Sequence, residues 1–366
     1  MISAGPPIGN LSVSVFTIPT DAPEADGTFE WTATTIVVVE AAAGGTIGLG
    51  FTYADAAAAT LISTTLAPAV RGIDALKTHA AWTAMTRAVR NTGRPGIGSA
   101  AIAAVDTALW DLKGRLLGVS AADLAGLARD VVPVYGSGGF TSYSVERLQS
   151  QLGEWVAAGI HFVKMKIGRD PGADVQRVAA ARDAIGPDAE LFVDANGAYA
   201  RKLALAQAER FAAQRVAWFE EPVSSDDLEG LALLVDRAPA GMDIAAGEYG
   251  YDIFYFRRML EARAVDVLQA DATRCGGITG FMKVAALAES HAVPLSAHTA
   301  PSVHVHPGAA VGALQHIEYF HDHVRIEHLL FDGAATAQAG VLRPDRSRPG
   351  LGLELKRNDA ERYRKA

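Results

Sequence analysis

The stretch HFVKMKIG at residues 161–168, with the short apolar runs that follow it, decides the fold. Lys164 and Lys166 stand just behind Phe162 and Val163. Further on, LFVD ends on Asp194, AWFE on Glu220, DIAAGE on Glu248, DVLQAD on Asp271, VPLSAH on His298 and QHIE on Glu318. A titratable residue thus closes an apolar run every 20 to 28 residues or so. A strand, a helix and two short loops occupy about that length, so the pattern reads as repeated βα units. If the strands close into a barrel, all of these residues lie at C-terminal strand ends and face one spot.

The rest of the chain is organised around that core. Residues 11–18, 32–40 and 46–53 read as strands, with a glycine pair at 44–45 as the hairpin turn between the last two. PTDAPEADGTFEW at 19–31 is too long and too rich in Pro, Asp and Gly for a tight turn, and reads as a mobile or functional loop. Helical spacing follows over 55–66, 71–91 and 98–117, the last ending at Gly118. Strands followed by helices make an α+β unit. The expected organisation is an α+β unit over 1–128, a (β/α) barrel over 129–334, and a C-terminal segment, 335–366, that returns to pack on the first unit.

Composition narrows the function. Hydrophobic residues are 49% and charged residues 20%, as in an ordinary soluble globular protein. The net charge is −8 with no basic block, which argues against a nucleic-acid partner. The single cysteine, Cys275, allows no internal disulfide and no zinc-type spacing. MISAGPPIGNLSV lacks a basic start followed by an apolar core, so no secretory signal is expected. No apolar run approaches the roughly 18 residues of a membrane helix. A cytoplasmic location is the resulting expectation.

Asp194, Glu220 and Glu248 fall on three consecutive expected strands. Any one of them could be a helix-capping acid; three at matched positions suggest oxygen ligands for Mg²⁺. Lys164 and Lys166, two apart on a strand, share a face. Their mutual repulsion and burial are expected to lower the pKa of one, making it a base. Asp271 and His298 end neighbouring strands, where the carboxylate can orient the imidazole and raise its basicity. Glu318, if protonated, could donate to a developing enolate oxygen. The common theme is acidity: removing the proton next to a carboxylate builds a dianionic enediolate, and a bound divalent ion offsets that charge.

KMK at 164–166, VDANG with Asp194, FEEP with Glu220, GE with Glu248, QADATRCGG with Asp271 and SAH with His298 resemble the mandelate racemase subgroup of the enolase superfamily. That superfamily is itself a known case of a Lys or His base working with Mg²⁺. ALWDLKG at 108–114 is similar to a stretch found just before the barrel in that family, and the resemblance runs from about residue 11 to 355. It implies a modified TIM (β/α) barrel with an N-terminal α+β capping domain. It also implies that Asp194, Glu220 and Glu248 bind Mg²⁺, and that Lys166 is the base on one face, helped by Lys164. His298, paired with Asp271, would serve the other face. Glu318 would assist at the carboxylate, Asn196 would touch the metal site or the substrate, and Glu221 would stand behind Glu220.

The implied partner is a small carboxylate, a sugar acid or a 2-hydroxy acid, and the implied assembly a homo-oligomer, a dimer or an octamer. Relatives that cyclise muconate or epimerise dipeptides carry lysine where this chain has Asp271, with Arg274 three residues on, which argues against that subgroup. Dehydration of an acid sugar to a 2-keto-3-deoxy acid is the expected reaction, from the frequency of dehydratases in the subgroup. Racemisation of a 2-hydroxy acid is the alternative. A non-catalytic binding relative is a third reading, disfavoured because all the site positions keep their chemistry. Specificity in the family comes from the capping domain, here 19–31 and the turn near 48–55. The first stretch holds Asp21, Glu24, Asp26 and Glu30 without Arg or Lys, which favours a substrate with one carboxylate. Phe51 and Tyr53 would either add an aromatic wall to the site or, the stronger expectation, pack the small sheet, and His304 and His306 are expected to support the site or simply belong to a helix.

Overall fold

The computed structural model describes residues 4–365. Residues 1–3 and 366, the ends of the expected first unit and last segment, lie outside the described residues. The chain opens with β1 (Leu11–Ala25), β2 (Glu30–Ala43) and β3 (Thr46–Tyr53), an antiparallel sheet in that order. The expected loop over 19–31 is mostly strand. Only Asp26 to Phe29 turn, and Asp26 Oδ1 accepts from the backbone N–H groups of Thr28 (2.6 Å) and Phe29 (2.7 Å). Proline is tolerated here because β1 is an edge strand, where its missing N–H breaks no ladder bond. The β1–β2 register shifts between Pro19 and Glu24 and then resumes.

Helical turns at Ala57–Leu61, Ile62–Leu66 and Ala67–Val70 follow, and then helices Thr78–Ala88 and Ile97–Leu117. The helix expected over 71–91 starts late, since the backbone leaves helical geometry at Arg71. Ile97–Leu117 lies so close to β3 that a Cβ on Gly50 would sit 2.3 Å from the Ala108 nitrogen. The ALWDLKG stretch is the junction of the molecule. Buried Asp111 accepts from the N–H groups of Leu49 and Leu351, both at 2.6 Å, and from Arg115 Nε at 2.7 Å. Trp110 Nε1 donates to Thr279 Oγ1 of the barrel at 2.9 Å.

Eight parallel strands form the barrel: β4 (Val132–Gly138), β5 (Phe162–Lys166), β6 (Glu190–Asp194), β7 (Val216–Glu220), β8 (Asp243–Ala246), β9 (Val267–Ala270), β10 (Leu295–Ala297) and β11 (Leu314–Phe320). Pairing of β11 with β4 closes it. Helices follow the strands, from Val145–Ala157 after β4 to His321–Leu330 after β11. With the sheet-bearing first unit, this is a modified TIM barrel with an N-terminal cap. Tyr135, Phe192, Trp218 and Val267 fill the barrel interior, with Phe192 stacked on Trp218 at 5.2 Å. Strand periodicity then sends the next same-face residue on each strand to the mouth: Phe192 leads to Asp194, Trp218 to Glu220 and Phe162 to Lys164 and Lys166. An apolar floor under a charged mouth is therefore written into each strand.

The C-terminal segment touches both the barrel and the first sheet. Val341–Leu342 pairs antiparallel with β4, and near the end the Thr17 N–H donates to Tyr363 O while the Lys365 N–H donates to Val15 O, both at 2.9 Å.

One buried acid at the cap–barrel junction carries a pH dependence. Asp106 Oδ2 accepts from the Thr279 N–H at 2.8 Å, while Oδ1 is buried without a partner among the described residues. Burial pushes its carboxyl up from 3.8 to about 7. A carboxyl raised in the folded state favours folding at low pH. That contribution is lost as pH rises from about 4, the unfolded value, through about 7. At 1.36 kcal/mol per pH unit the loss is at most about 4 kcal/mol. Asp106→Asn should therefore gain Tm relative to the parent at pH 8 and lose that advantage towards pH 5. A difference between the two melting curves that does not change with pH would overturn this.

Candidate active site

Strand register sets the site. Lys166 lies opposite Asp194, and Asp194 opposite Glu220. Glu248 lies just beyond β8, after Gly247, where a Cβ would fall 2.0 Å from the Gln269 carbonyl oxygen. One oxygen from each of Asp194, Glu220 and Glu248 falls within 4.8 Å of the others. All three residues are buried.

The two lysines enter this group from β5. Lys164 Nζ lies 2.7 Å from both Glu220 carboxylate oxygens, 2.9 Å from Glu318 Oε1 and 3.3 Å from Asp194 Oδ2. Lys166 donates to Asp194 Oδ2, and to Asn196 Oδ1 at 3.1 Å. Burial alone would push both ammonium groups down, as the sequence suggested. Here the carboxylates outweigh burial and the Lys–Lys repulsion: Glu220 and Glu318 around Lys164, and Asp194 beside Lys166, hold both above the ordinary lysine value. The expected lowering of one lysine is therefore corrected for this arrangement of charges.

The other wall is built on His298. Its Nδ1 lies 2.9 Å from Asp271 Oδ2, and its Nε2 lies 2.9 Å from Glu248 Oε2 and 3.6 Å from Glu318 Oε2. Burial opposes its protonation, yet Glu248 and Glu318 raise it to about 9. Glu318 also departs from expectation. Burial would raise it, but Lys164 and His298 hold it down to about 2. It is a carboxylate here and not a protonated donor. It accepts from Ser137 Oγ at 2.5 Å and from the Thr299 N–H at 3.1 Å.

Supporting groups complete the arrangement. The Asn196 N–H donates to Asp194 Oδ1 at 2.9 Å. Glu221 is buried, and its Oε1 has no hydrogen-bond partner among the described residues. The Ala272 N–H donates to His304 Nε2 at 2.8 Å, next to Asp271, whereas His306 Nε2 faces Leu351 O of the C-terminal segment. Phe51 packs in the core against Phe331 at 5.0 Å. Tyr53 packs edge-on against Phe51 at 5.8 Å, and its ring also stacks on His323 at 3.4 Å, in the wall of a cavity of about 490 Å³ between cap and barrel mouth. Lys166, Asn196, Glu248, His298 and Glu318 reach this cavity from the barrel, and Asp26 and Trp31 from the cap. Sequence reasoning missed His323, Tyr249 and Thr299 in its lining. Thr299 was findable, since it directly follows His298. Nothing in the local sequence marks His323.

The donor set fits a hard divalent cation. It consists of three carboxylates on consecutive strands, with oxygen ligands only. Burial, and crowding by Asp194, push Glu220 up to about 8; a cation among these oxygens would offset that crowding.

The chain matches a family model described as mandelate racemase/muconate lactonizing enzyme, N-terminal domain, over residues 14–126. It matches a second, enolase C-terminal domain-like, over residues 147–360. The chain belongs to the mandelate racemase/muconate lactonizing enzyme family of the enolase superfamily. It is 35% identical, over 86% of its length and 87% of the relative's, to a 3,6-anhydro-alpha-L-galactonate cycloisomerase of Streptomyces coelicolor. It is 33% identical, over 75% of its length and 69% of the relative's, to an L-talarate/galactarate dehydratase of Salmonella typhimurium. A solved mandelate racemase/muconate lactonizing enzyme-like protein from Rubrobacter xylanophilus superposes with a TM-score of 0.97 at 54% identity, covering 98% of this family member and 100% of that chain. A racemase from Streptomyces coelicolor A3(2), solved with bound magnesium, gives a TM-score of 0.92 at 32% identity, covering 98% and 100%.

Proposed function

We propose that this family member is a Mg²⁺-dependent hydro-lyase that dehydrates an acid sugar to a 2-keto-3-deoxy acid. The observation that carries the proposal is the cluster of three buried carboxylates, one of which, Glu248, lines the same cavity as Lys166 and His298. Asp194, Glu220 and Glu248 would hold the metal, which supplies positive charge to the substrate carboxylate and to the enediolate that forms from it. Lys166, on β5, takes the proton from the α-carbon. Glu318 borders the carboxylate end of the cavity with Lys164 behind it, and Asn196 orients Lys166. His298, held by Asp271, gives a proton to the β-hydroxyl as it leaves as water. The enol that remains becomes the 2-keto acid.

The names of the relatives support this reading, since several, the arabinonate and D-galactonate dehydratases among them, are dehydratases of sugar acids. They also favour a second one. Both a cycloisomerase and a racemase share this framework. All three reactions begin with loss of the α-proton, and they differ in what the second group does. In racemisation His298 returns a proton to the α-carbon; in a cycloisomerase the bond broken or made belongs to a ring. A homo-oligomer, dimer or octamer, belongs to the same proposal and is read by light scattering.

Incubation with Mg²⁺ and pooled sugar and 2-hydroxy acids in D₂O, followed by proton NMR, decides among them. A 2-keto-3-deoxy product establishes dehydration. Loss of only the α-proton signal establishes racemisation and removes the dehydratase reading.

A further inference from the structure

The charges lining the cavity are unevenly distributed. The cationic groups, Lys166, Arg274 and His298, all lie at the barrel end, each against carboxylates already described. Arg274 is 3.7 Å from Glu248 Oε1 and 3.5 Å from Asp271 Oδ2, and it donates to Glu248 O at 3.2 Å. The cap end has no such cation among the described residues. His323 lines that side, but burial, with the charge of His298 nearby, pushes it down to about 3, so its ring is neutral. Asp26 and Asp55 face the cavity there. Each spends Oδ1 on backbone N–H groups, Asp26 on its own turn and Asp55 on the Ala57 N–H at 2.8 Å. Among the described residues, no hydrogen bond reaches Oδ2 of either.

The other hairpin acids do not share this position. Asp21 pairs with His321 at 3.1 Å, Glu24 accepts from Trp31 Nε1 at 2.8 Å, and Glu30 pairs with Arg169 at 2.7 Å. The acidity of the 19–31 stretch is thus mostly consumed locally, and only Asp26 carries it to the cavity. Phe29, Trp31 and Tyr53 add apolar ring surface to the same wall.

From this asymmetry we infer that the substrate is a monocarboxylic polyhydroxy acid, bound with its carboxylate at the barrel end and its neutral hydroxylated end against Asp26 and Asp55. Carboxylate oxygens accept hydrogen bonds from hydroxyls, and ring faces pack against the C–H face of a carbon chain. A second carboxylate at that end would meet two like charges and no paired cation. The inference rests on the acid-sugar reading of the site and narrows it to aldonic rather than aldaric acids.

The test uses the full-length, Mg²⁺-loaded enzyme and pairs of acids that differ only at the far carbon: D-galactonate with galactarate, D-gluconate with D-glucarate, and D-mannonate with D-mannarate. Dissociation constants come from calorimetry, and kcat/KM from 2-keto acid formation. In the best-bound pair, the monoacid should bind at least about tenfold more tightly than its diacid, the scale of one partly screened charge contact. In Asp26→Asn/Asp55→Asn that ratio should fall towards one. Both changes keep the local backbone contacts, because asparagine makes the same turns and caps. Equal or tighter binding of the diacid, an unchanged ratio in the double variant, or no measurable binding of any monoacid overturns the inference. Selective binding without turnover would instead count against the dehydratase reading alone.

Discussion

Lys166→Met should lower turnover by about 10⁴-fold or more, the upper range for one positioned acid–base group and about 5.5 kcal/mol of barrel-mouth chemistry. Methionine keeps an unbranched chain in the buried β5 position and removes the nitrogen that would take the α-proton. The fold should persist, because the apolar floor of Phe162, Phe192 and Trp218 is untouched. His298→Asn makes the contrasting case. It removes the group placed to protonate the leaving hydroxyl and leaves Lys166 in place. In D₂O, His298→Asn should therefore still exchange the α-proton of the substrate for deuterium while forming little 2-keto acid. Lys166→Met should do neither. A racemase would behave differently, each variant exchanging the α-proton of only one stereoisomer. Parental rates in both variants, with circular dichroism showing intact folds, would remove the two-base assignment.

The placement of these groups was largely legible in the sequence, for a physical reason. Strand alternation has period two, so a buried strand that reads apolar and then charged must present the charge at its end on the same face as the interior residue before it. Lys164, Lys166, Asp194 and Glu220 obey this rule, and their register follows from closed parallel pairing. What depends on many groups at once was not legible. Two adjacent lysines suggest repulsion and a lowered pKa; in space, Glu220, Glu318 and Asp194 outnumber them and hold both up. Glu318 read alone could be a neutral donor; between Lys164 and His298 it is ionised. The stretch 19–31 looked like a loop because Pro and Asp are strand breakers, and nothing local says that β1 is an edge. His323 reaches the cavity only because the helix after β11 starts beneath Tyr53, a contact 270 residues apart in sequence.

The second large effect concerns the metal. EDTA should abolish activity and Mg²⁺ restore it, and the cause is visible in the charge arrangement. Asp194, Glu220 and Glu248 bring carboxylate oxygens within 4.8 Å of each other in a buried place, where like charges are expensive. Lys164 and Lys166 offset part of that charge, and in doing so Lys166 is bound to Asp194 and held as an ammonium ion, the form that cannot accept a proton. A divalent ion should thus matter twice, in charge supplied to the enediolate and in charge taken off the lysines' partners. Binding should also show in stability, independently of turnover. At about 100-fold over its Kd, Mg²⁺ adds about 2.7 kcal/mol to the folded state, which corresponds to a Tm rise of several degrees. Glu220→Gln should erase most of that rise while keeping the cavity's shape. Asp106→Asn, whose parent carboxylate bonds to Thr279 and is not one of the three clustered acids, should keep all of it. An identical Mg²⁺ shift in Glu220→Gln, or full turnover in EDTA, would show that the three carboxylates do not hold the metal on which the reaction depends.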